Sequence, residues 1–206
     1  VLNSSFERND FLNFQYFENN WFEKPPLYFW LAAASVKVFG FNEFSLRFPS
    51  AICGIIAIFL IYSITLELTA KDSPSAILAG IVLVLMPFFT AAIRNMRMDT
   101  PVTACILAAL YFYLAGLSKQ KYLTGVGISI GLGVLFKSII GFLAVPIVLI
   151  FSIATKNWGW VKNKFFWLGN LIGLALAAPW HIYESFKFGK VFWQDYLGYH
   201  VLGRFN

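Results

Sequence analysis

The side chains best able to do chemistry in this 206-residue sequence are Lys24, Arg94, Arg97, Lys137 and Arg204, together with Glu23, Asp99 and His200. Almost all lie in short breaks at the ends of long apolar runs: Glu23-Lys24 before Pro25-Pro26, Arg94 to Asp99, Lys137 between two apolar halves, and His200 with Arg204. Lys and Arg are the usual partners of phosphoryl oxygens, so these cations suit a phosphate or diphosphate. Asp99 and Glu23 can act as general base, metal ligand or orienter of a basic residue. His200 with Glu23 offers an N/O pair to a metal ion. A cationic site beside apolar helices suits a lipid-linked phosphate whose tail stays in the bilayer.

Each residue also has a plainer reading. Lys24 can snorkel beside the Pro-Pro turn, and Glu23 can simply pair with Lys24. Asp99 can cap the helix that begins at Thr100-Pro101. Arg94 and Arg97 can contact lipid headgroups, Tyr199-His200 suits an interfacial aromatic belt, and His181 after Pro179-Trp180 reads as belt or packing. Lys137 makes the strongest case, because an orphan ammonium between two apolar halves costs roughly 3 kcal/mol.

The elements that position these groups are membrane spans. The chain is 59% hydrophobic, 19% aromatic and only 13% charged, with a mean hydropathy of +0.68. A soluble domain is excluded by that balance. The net charge of +6 comes from basic residues scattered singly along loops, which argues against nucleic acid and fits the Lys/Arg excess of cytoplasmic membrane loops. Cys53 and Cys105 lie within apolar runs with no ligand-spaced partner and read as small hydrophobes. The first residues lack an initiator Met and a signal-peptide pattern, and the chain reads as a fragment of a longer protein.

The apolar runs predict about six spans, near 46–68, 75–93, 100–117, 123–136, 139–155 and 165–183, with Leu27 to Phe39 as an interfacial helix. Asn42 is the expected N-cap after Gly40, Pro87 a kink, and Ala178-Pro179-Trp180 the end of the last span. Gly127 with Gly131 and Gly169 with Gly173 have the four-residue spacing that lets helices pack closely. The expected division is an extracytoplasmic loop over 1–45, spans over 46–183 and an extracytoplasmic tail over 184–206. Alternating spans put Lys71, Lys119, Lys121, Lys156, Lys162 and Lys164, with Asp72, on one side. The mixed-sign residues Glu23, Lys24, Arg94, Arg97, Asp99, Lys137, Glu184, Asp195, His200 and Arg204 fall on the other. The nearly all-Lys side is the expected cytoplasmic one, which places one polar site on the opposite face.

The ordered set of motifs resembles a known family. Phe22-Glu23-Lys24-Pro25-Pro26-Leu27-Tyr28-Phe29-Trp30-Leu31, then Phe39-Gly40-Phe41-Asn42-Glu43-Phe44 and Arg47-Phe48-Pro49-Ser50, are similar to the signature of bacterial polyprenyl-phosphate-sugar glycosyltransferases. These are GT-C enzymes related to the aminoarabinose transferases of lipid A and to protein O-mannosyltransferases. Met98-Asp99-Thr100-Pro101, Gly131 through Lys137-Ser138, Ala178-Pro179-Trp180 and Tyr199-His200 through Arg204-Phe205 continue the resemblance in order. It implies an all-α, polytopic transmembrane helix bundle of the inner membrane. The implied activity is sugar transfer from a polyprenyl-phosphate carrier to a lipid, glycan or protein acceptor on the extracytoplasmic face. By the same resemblance, Lys24 and Lys137 face the carrier phosphate, joined in our reading by Arg97 and Arg204. Glu23 and His200 hold a zinc ion, and Asp99 belongs to the catalytic cavity. The family's principal acid is expected upstream of Val1. Relatives commonly carry Lys-Gly where this chain has Lys137-Ser138. Two other classes fit parts of the pattern: a transporter with its broken-helix site at Lys137, and a non-catalytic membrane assembly subunit.

Overall fold

The computed structural model describes residues 1–16, 19–199 and 203. The chain begins with a short helix α1 (Leu2–Arg8) and a two-residue antiparallel ribbon, β1 (Gln15–Tyr16) with β2 (Asn19–Asn20), pairing Gln15 with Asn20 and Tyr16 with Asn19. Helix α2 (Leu27–Phe39) follows the Pro25-Pro26 turn and buries Tyr28, Phe29, Ala32, Ala33 and Val36. The expected polar loop ahead of it is therefore folded. Trp30 Nε1 donates to the Phe11 carbonyl at 2.7 Å, and Leu2 and Phe14 pack into the same core as Tyr28 and Phe29.

Helix α3 (Glu43–Leu68) starts at the predicted cap. The Asn42 side chain accepts from the Ser45 amide at 2.9 Å while Ser45 Oγ accepts from the Asn42 amide at 3.3 Å, a reciprocal box that satisfies two otherwise orphaned donors. The next pass is α4 (Ser73–Leu85) and α5 (Pro87–Ile93), bent by 71° at the break. Pro87 lacks the amide that would continue the helix ladder, as the sequence predicts. Helix α6 (Asp99–Ser118) returns. It is followed by α7 (Thr124–Lys137), a 3₁₀ segment Ser138–Leu143, and α8 (Ala144–Thr155). Helix α9 (Lys164–Phe188) leads to α10 (Lys190–Trp193) and a π-turn Gln194–Tyr199. The last helix does not end at Ala178-Pro179-Trp180 as expected, but runs through Pro179 to Phe188. Trp180 and Ala177 there are held in a core with Phe22, Leu135 and Phe192, and that packing outweighs the local cost of the proline.

Among the described residues, four continuous helical segments can cross a membrane by length and hydropathy, or five if the bent pair counts as one, against the expected six. The difference lies in Gln120–Thr155, counted as a single segment. It folds back on itself. A Cβ on Gly141 would stand 2.3 Å from the Val134 amide nitrogen, so the 3₁₀ segment lies against the end of α7. Tyr113, far along α6, reaches Ser152 at 2.8 Å, whereas Lys137 meets Asp99 at the start of α6. The two arms thus traverse the same depth in opposite directions. The packing of α7 on α9 requires this. A Cβ on Gly169 would meet Thr124, one on Gly127 would meet Asn170, and one on Gly131 would meet Gly173. The contacts advance together along both helices, so α7 and α9 run parallel and the chain between them must return.

The predicted glycine pairs are therefore a backbone-to-backbone seam. Replacing a helical glycine by alanine gains about 1 kcal/mol of helix propensity, but here the new Cβ would sit 2.1 Å from the Gly127 carbonyl oxygen in the case of Gly173. The clash wins, because backbone cannot yield as a side-chain tip does. We expect Gly173→Val to destabilise the bundle by about 3 kcal/mol, read as a lowered melting temperature in detergent. Gly198→Ala, with nothing within 4 Å of its Cβ, should leave it unchanged.

A second expectation concerns Asp10, whose carboxylate accepts from the amides of Leu12 and Asn13 at 3.0 Å each and from the Asn13 side chain at 3.0 Å. Burial pushes this carboxyl up, but those hydrogen bonds and the nearby Arg8 outweigh it and hold the group below its usual 3.8. A depressed carboxylate contributes stability above its unfolded pKa that is lost as pH falls through the folded one. The protection of the Leu12 and Asn13 amides, measured relative to their intrinsic exchange rates, should therefore fall as pH drops through the folded pKa of Asp10.

Candidate functional site

Four of the expected groups, Glu23, Lys24, Asp99 and Lys137, form two ion pairs near the end of the bundle where α2, α3, α6 and the turn after α7 meet. Asp99 is the first residue of α6 but caps nothing with its side chain. Its carboxylate instead accepts from the Lys137 ammonium, the C-terminal residue of α7. The capping explanation for Asp99 is thereby removed, and the orphan ammonium has its partner. The side chain of Lys137 is about one-quarter exposed and that of Asp99 about half. A pair so open to solvent contributes at most about 1 kcal/mol to stability, too little to account for placing two charges at the ends of apolar helices.

The second pair is Lys24 with Glu23, Nζ to Oε1 2.9 Å, with both side chains mostly buried. The residues on either side bring it beside the first pair. Phe22 packs with Leu135 and Trp180, while Tyr28 and Phe29 pack with Val102 and Phe136, neighbours in sequence of Asp99 and Lys137.

The turn that delivers Asp99 is held from α2 and α3. The Tyr28 hydroxyl lies 2.7 Å from Ser50 Oγ and 3.1 Å from the Leu46 carbonyl, and Ser50 Oγ donates to the Arg97 carbonyl at 3.0 Å. Pro49 and Ser50, part of the Arg47-Phe48-Pro49-Ser50 motif, are buried in this contact. Arg97 itself is exposed and lines a separate, shallow cavity of about 430 Å3 with Glu43, Arg47 and Asn95. The structure thus brings Glu23 to Lys24 and Asp99 to Lys137, and sets Arg97 apart from them. His200 and Arg204 lie outside the described residues.

Among the described residues, no group of three or more His, Cys, Asp and Glu could hold a metal ion. Glu23, one of the two expected zinc donors, is engaged by Lys24. The other expected donor, His200, lies outside the described residues.

Beside the ion pairs, a cavity of about 650 Å3 opens between α7 and α9. Its wall is apolar along Gly131, Val134, Gly173 and Ala177, and its polar lining includes Ser138, His181 and Tyr196. None of these three stood out as functional in the sequence. The only signal was a histidine following a proline in an apolar run, and a serine where glycine is commoner.

Similarity to known proteins agrees with this architecture. The family model described as dolichyl-phosphate-mannose-protein mannosyltransferase matches residues 23–183. A protein of Aquifex aeolicus is 28% identical over 163 residues, covering 78% of this chain and 32% of its own length. The undecaprenyl phosphate-alpha-4-amino-4-deoxy-L-arabinose arabinosyl transferase 2 of Pseudomonas fluorescens is 26% identical over 188 residues, covering 86% of this chain and 32% of its own. The crystal structure of ArnT from Cupriavidus metallidurans bound to undecaprenyl phosphate superposes with a TM-score of 0.85 at 20% identity, over 98% of this chain and 38% of that one. The chain thus spans about a third of the length of the proteins it matches. Its helical bundle has the fold of the ArnT membrane core. The match over 23–183 takes in the Glu23-Lys24 motif, the Asp99 turn and the Lys137 break, and the chain belongs to the dolichyl-phosphate-mannose-protein mannosyltransferase family.

Proposed function

We propose that this chain forms the carrier-binding end of a membrane glycosyltransferase that moves a sugar from a polyprenyl phosphate to a lipid, glycan or protein acceptor on the extracytoplasmic face. The observation that carries the reading is the convergence of Lys137 with Asp99 at the helix ends, beside Lys24 with Glu23. A transport site would sit near mid-bilayer with matching interruptions in two halves. Here the charges join helix termini.

The reaction is a displacement. The acceptor nucleophile attacks the anomeric carbon, a new glycosidic bond forms, and the sugar–phosphate C–O bond breaks with its electron pair going to the phosphate oxygen. That displacement inverts the anomeric centre. Negative charge grows on the leaving polyprenyl phosphate, and Lys24 and Lys137 stabilise it where it develops. Asp99 orients the Lys137 ammonium before the carrier arrives. A general base takes the acceptor's proton as the new bond forms. Relatives named for undecaprenyl phosphate support a carrier of that class.

Orientation follows from charge. The loops at the far end carry Lys71, Lys119, Lys121, Lys156, Lys162 and Lys164 against Asp72, which by the positive-inside tendency belong in the cytoplasm. The ion pairs then face the opposite compartment.

In the full-length protein, Lys137→Ala should slow transfer from a labelled polyprenyl-phosphate sugar by about 10²-fold or more. Asp99→Asn, which leaves the ammonium charged but unguided, should cost less. An unchanged rate for Lys137→Ala would remove the phosphate assignment. For orientation, Asn95→Cys should react with a membrane-impermeant maleimide on intact spheroplasts, and Asn157→Cys only after permeabilisation. The reverse pattern would invert the topology.

A further inference from the structure

The Arg47-Phe48-Pro49-Ser50 motif does more than hold the Asp99 turn. Glu43, Arg47 and Ser50 follow one another at i, i+4 and i+7 on α3 and so form one stripe along the helix. Ser50 Oγ donates to the Arg97 carbonyl at 3.0 Å, and the Arg97 amide lies 3.4 Å from the same oxygen. Arg97 is thereby pinned by its backbone while its side chain is left exposed. The stripe and the pinned turn put Arg47 and Arg97 on the wall of one shallow cavity of about 430 Å3.

Two cations at one cavity repel each other unless an anion neutralises them. The carboxylate at hand is Glu43, whose Oε2 lies 2.9 Å from Arg47 Nη2 with both side chains open to solvent. So exposed a pair holds weakly, and Arg47 can exchange it for a better-matched anion. Among the described residues the Arg97 guanidinium has no ion-pair partner at all. The guanidinium fork matches the oxygens of a phosphate. Arg47 also stands near the start of a spanning helix, at the level of lipid headgroups. Phe44 and Phe48 flank it in sequence, and with Phe39 they form a cluster of rings 5.1 to 5.6 Å apart. Phe39 and Phe44 are exposed. Exposed rings beside cations suit the boundary between headgroups and acyl chains, whereas a dissolved phosphate has no use for them.

We propose that Arg47 and Arg97 form a second anion site, separate from the Lys24 and Lys137 ion pairs, which holds the phosphate of an anionic membrane phospholipid while the Phe39, Phe44 and Phe48 rings meet its acyl chains. Glu43 is the counterion that the phosphate displaces. The inference goes beyond the sugar-transfer reading and stands without it, since it requires only that α3 spans the bilayer.

The test uses the full-length protein in nonionic micelles and a phosphatidylglycerol with a diazirine in its acyl chain. Photolabelling of the segment from Phe39 to Phe48 is followed as the lipid concentration rises. Arg47→Gln and Arg97→Gln should each raise the half-saturating concentration about fivefold, the worth of one cation beside an anionic lipid. Glu43→Gln, which removes the competing carboxylate, should lower it about twofold. Lys162→Gln, in a loop at the far end, should leave it unchanged. Melting temperatures equal to the parent's separate lost binding from lost fold, and the gain in Glu43→Gln cannot arise from unfolding. Equal labelling by the phosphatidylcholine analogue would overturn the proposal, as would a half-saturation that ignores both arginines. Displacement of the probe by soluble glycerol phosphate at the same concentration would make the ligand a free phosphate ester, and the lipid assignment would fall. None of these readings involves Lys137 or sugar transfer, so failure here leaves the proposed function standing.

Discussion

The parallel, backbone-to-backbone packing of α7 on α9 is the constraint on which the rest of the structure depends. Glycines at 127, 131, 169 and 173 let the two helices approach until a single Cβ would overlap a neighbour's peptide group. Two parallel neighbours joined by one connection oblige the intervening chain to travel back through the same depth. The sharp reversal at 138–141 is the form that return takes, and it leaves the last residue of α7 at the bundle end where α6 begins. Lys137 meets Asp99 because glycines elsewhere made the helices parallel.

The charges contribute little to holding the bundle together. Apolar burial at the site end, with Tyr28, Phe29, Val102 and Phe136 in one cluster and Phe22, Leu135 and Trp180 in another, sets the frame, at about 25 cal/mol per Å2 removed from contact with water. The ion pairs ride on that frame. On the proposed function, this division suits a site that exchanges one anion for another, since a carboxylate held by a strong buried network would not yield its ammonium to a phosphate.

Much of this could be read from residue types alone. The capping box at Asn42, the bend at Pro87 and the small-residue seam all follow from local chemistry that acts over a few residues. Placing Asp99 and Lys137 on the same side followed from span parity, which needs only the count of crossings; their pairing did not. What could not be read were features that depend on side chains meeting across the fold. The His181 ring meets the Tyr196 hydroxyl at 2.9 Å from a different element, and neither periodicity nor composition reports such a contact. The continuation of α9 beyond Pro179 was missed for a related reason. Proline's local preference is legible, whereas the aromatic cluster around Trp180 that overrides it is tertiary. The folding of the N-terminal residues was hidden too, because Asn- and Phe-rich sequence carries no period.

The two indole contacts of that N-terminal segment have a mechanical consequence. Trp30 on α2 donates to the carbonyl of Phe11, and Trp180 on α9 donates to that of Leu12. Two adjacent peptide oxygens are thereby tied to two different helices, whose indoles also pack in one cluster. The segment behaves as a spacer bar. It couples α2 to α9 through neighbouring backbone oxygens, so neither helix can slide without breaking one of the two indole bonds.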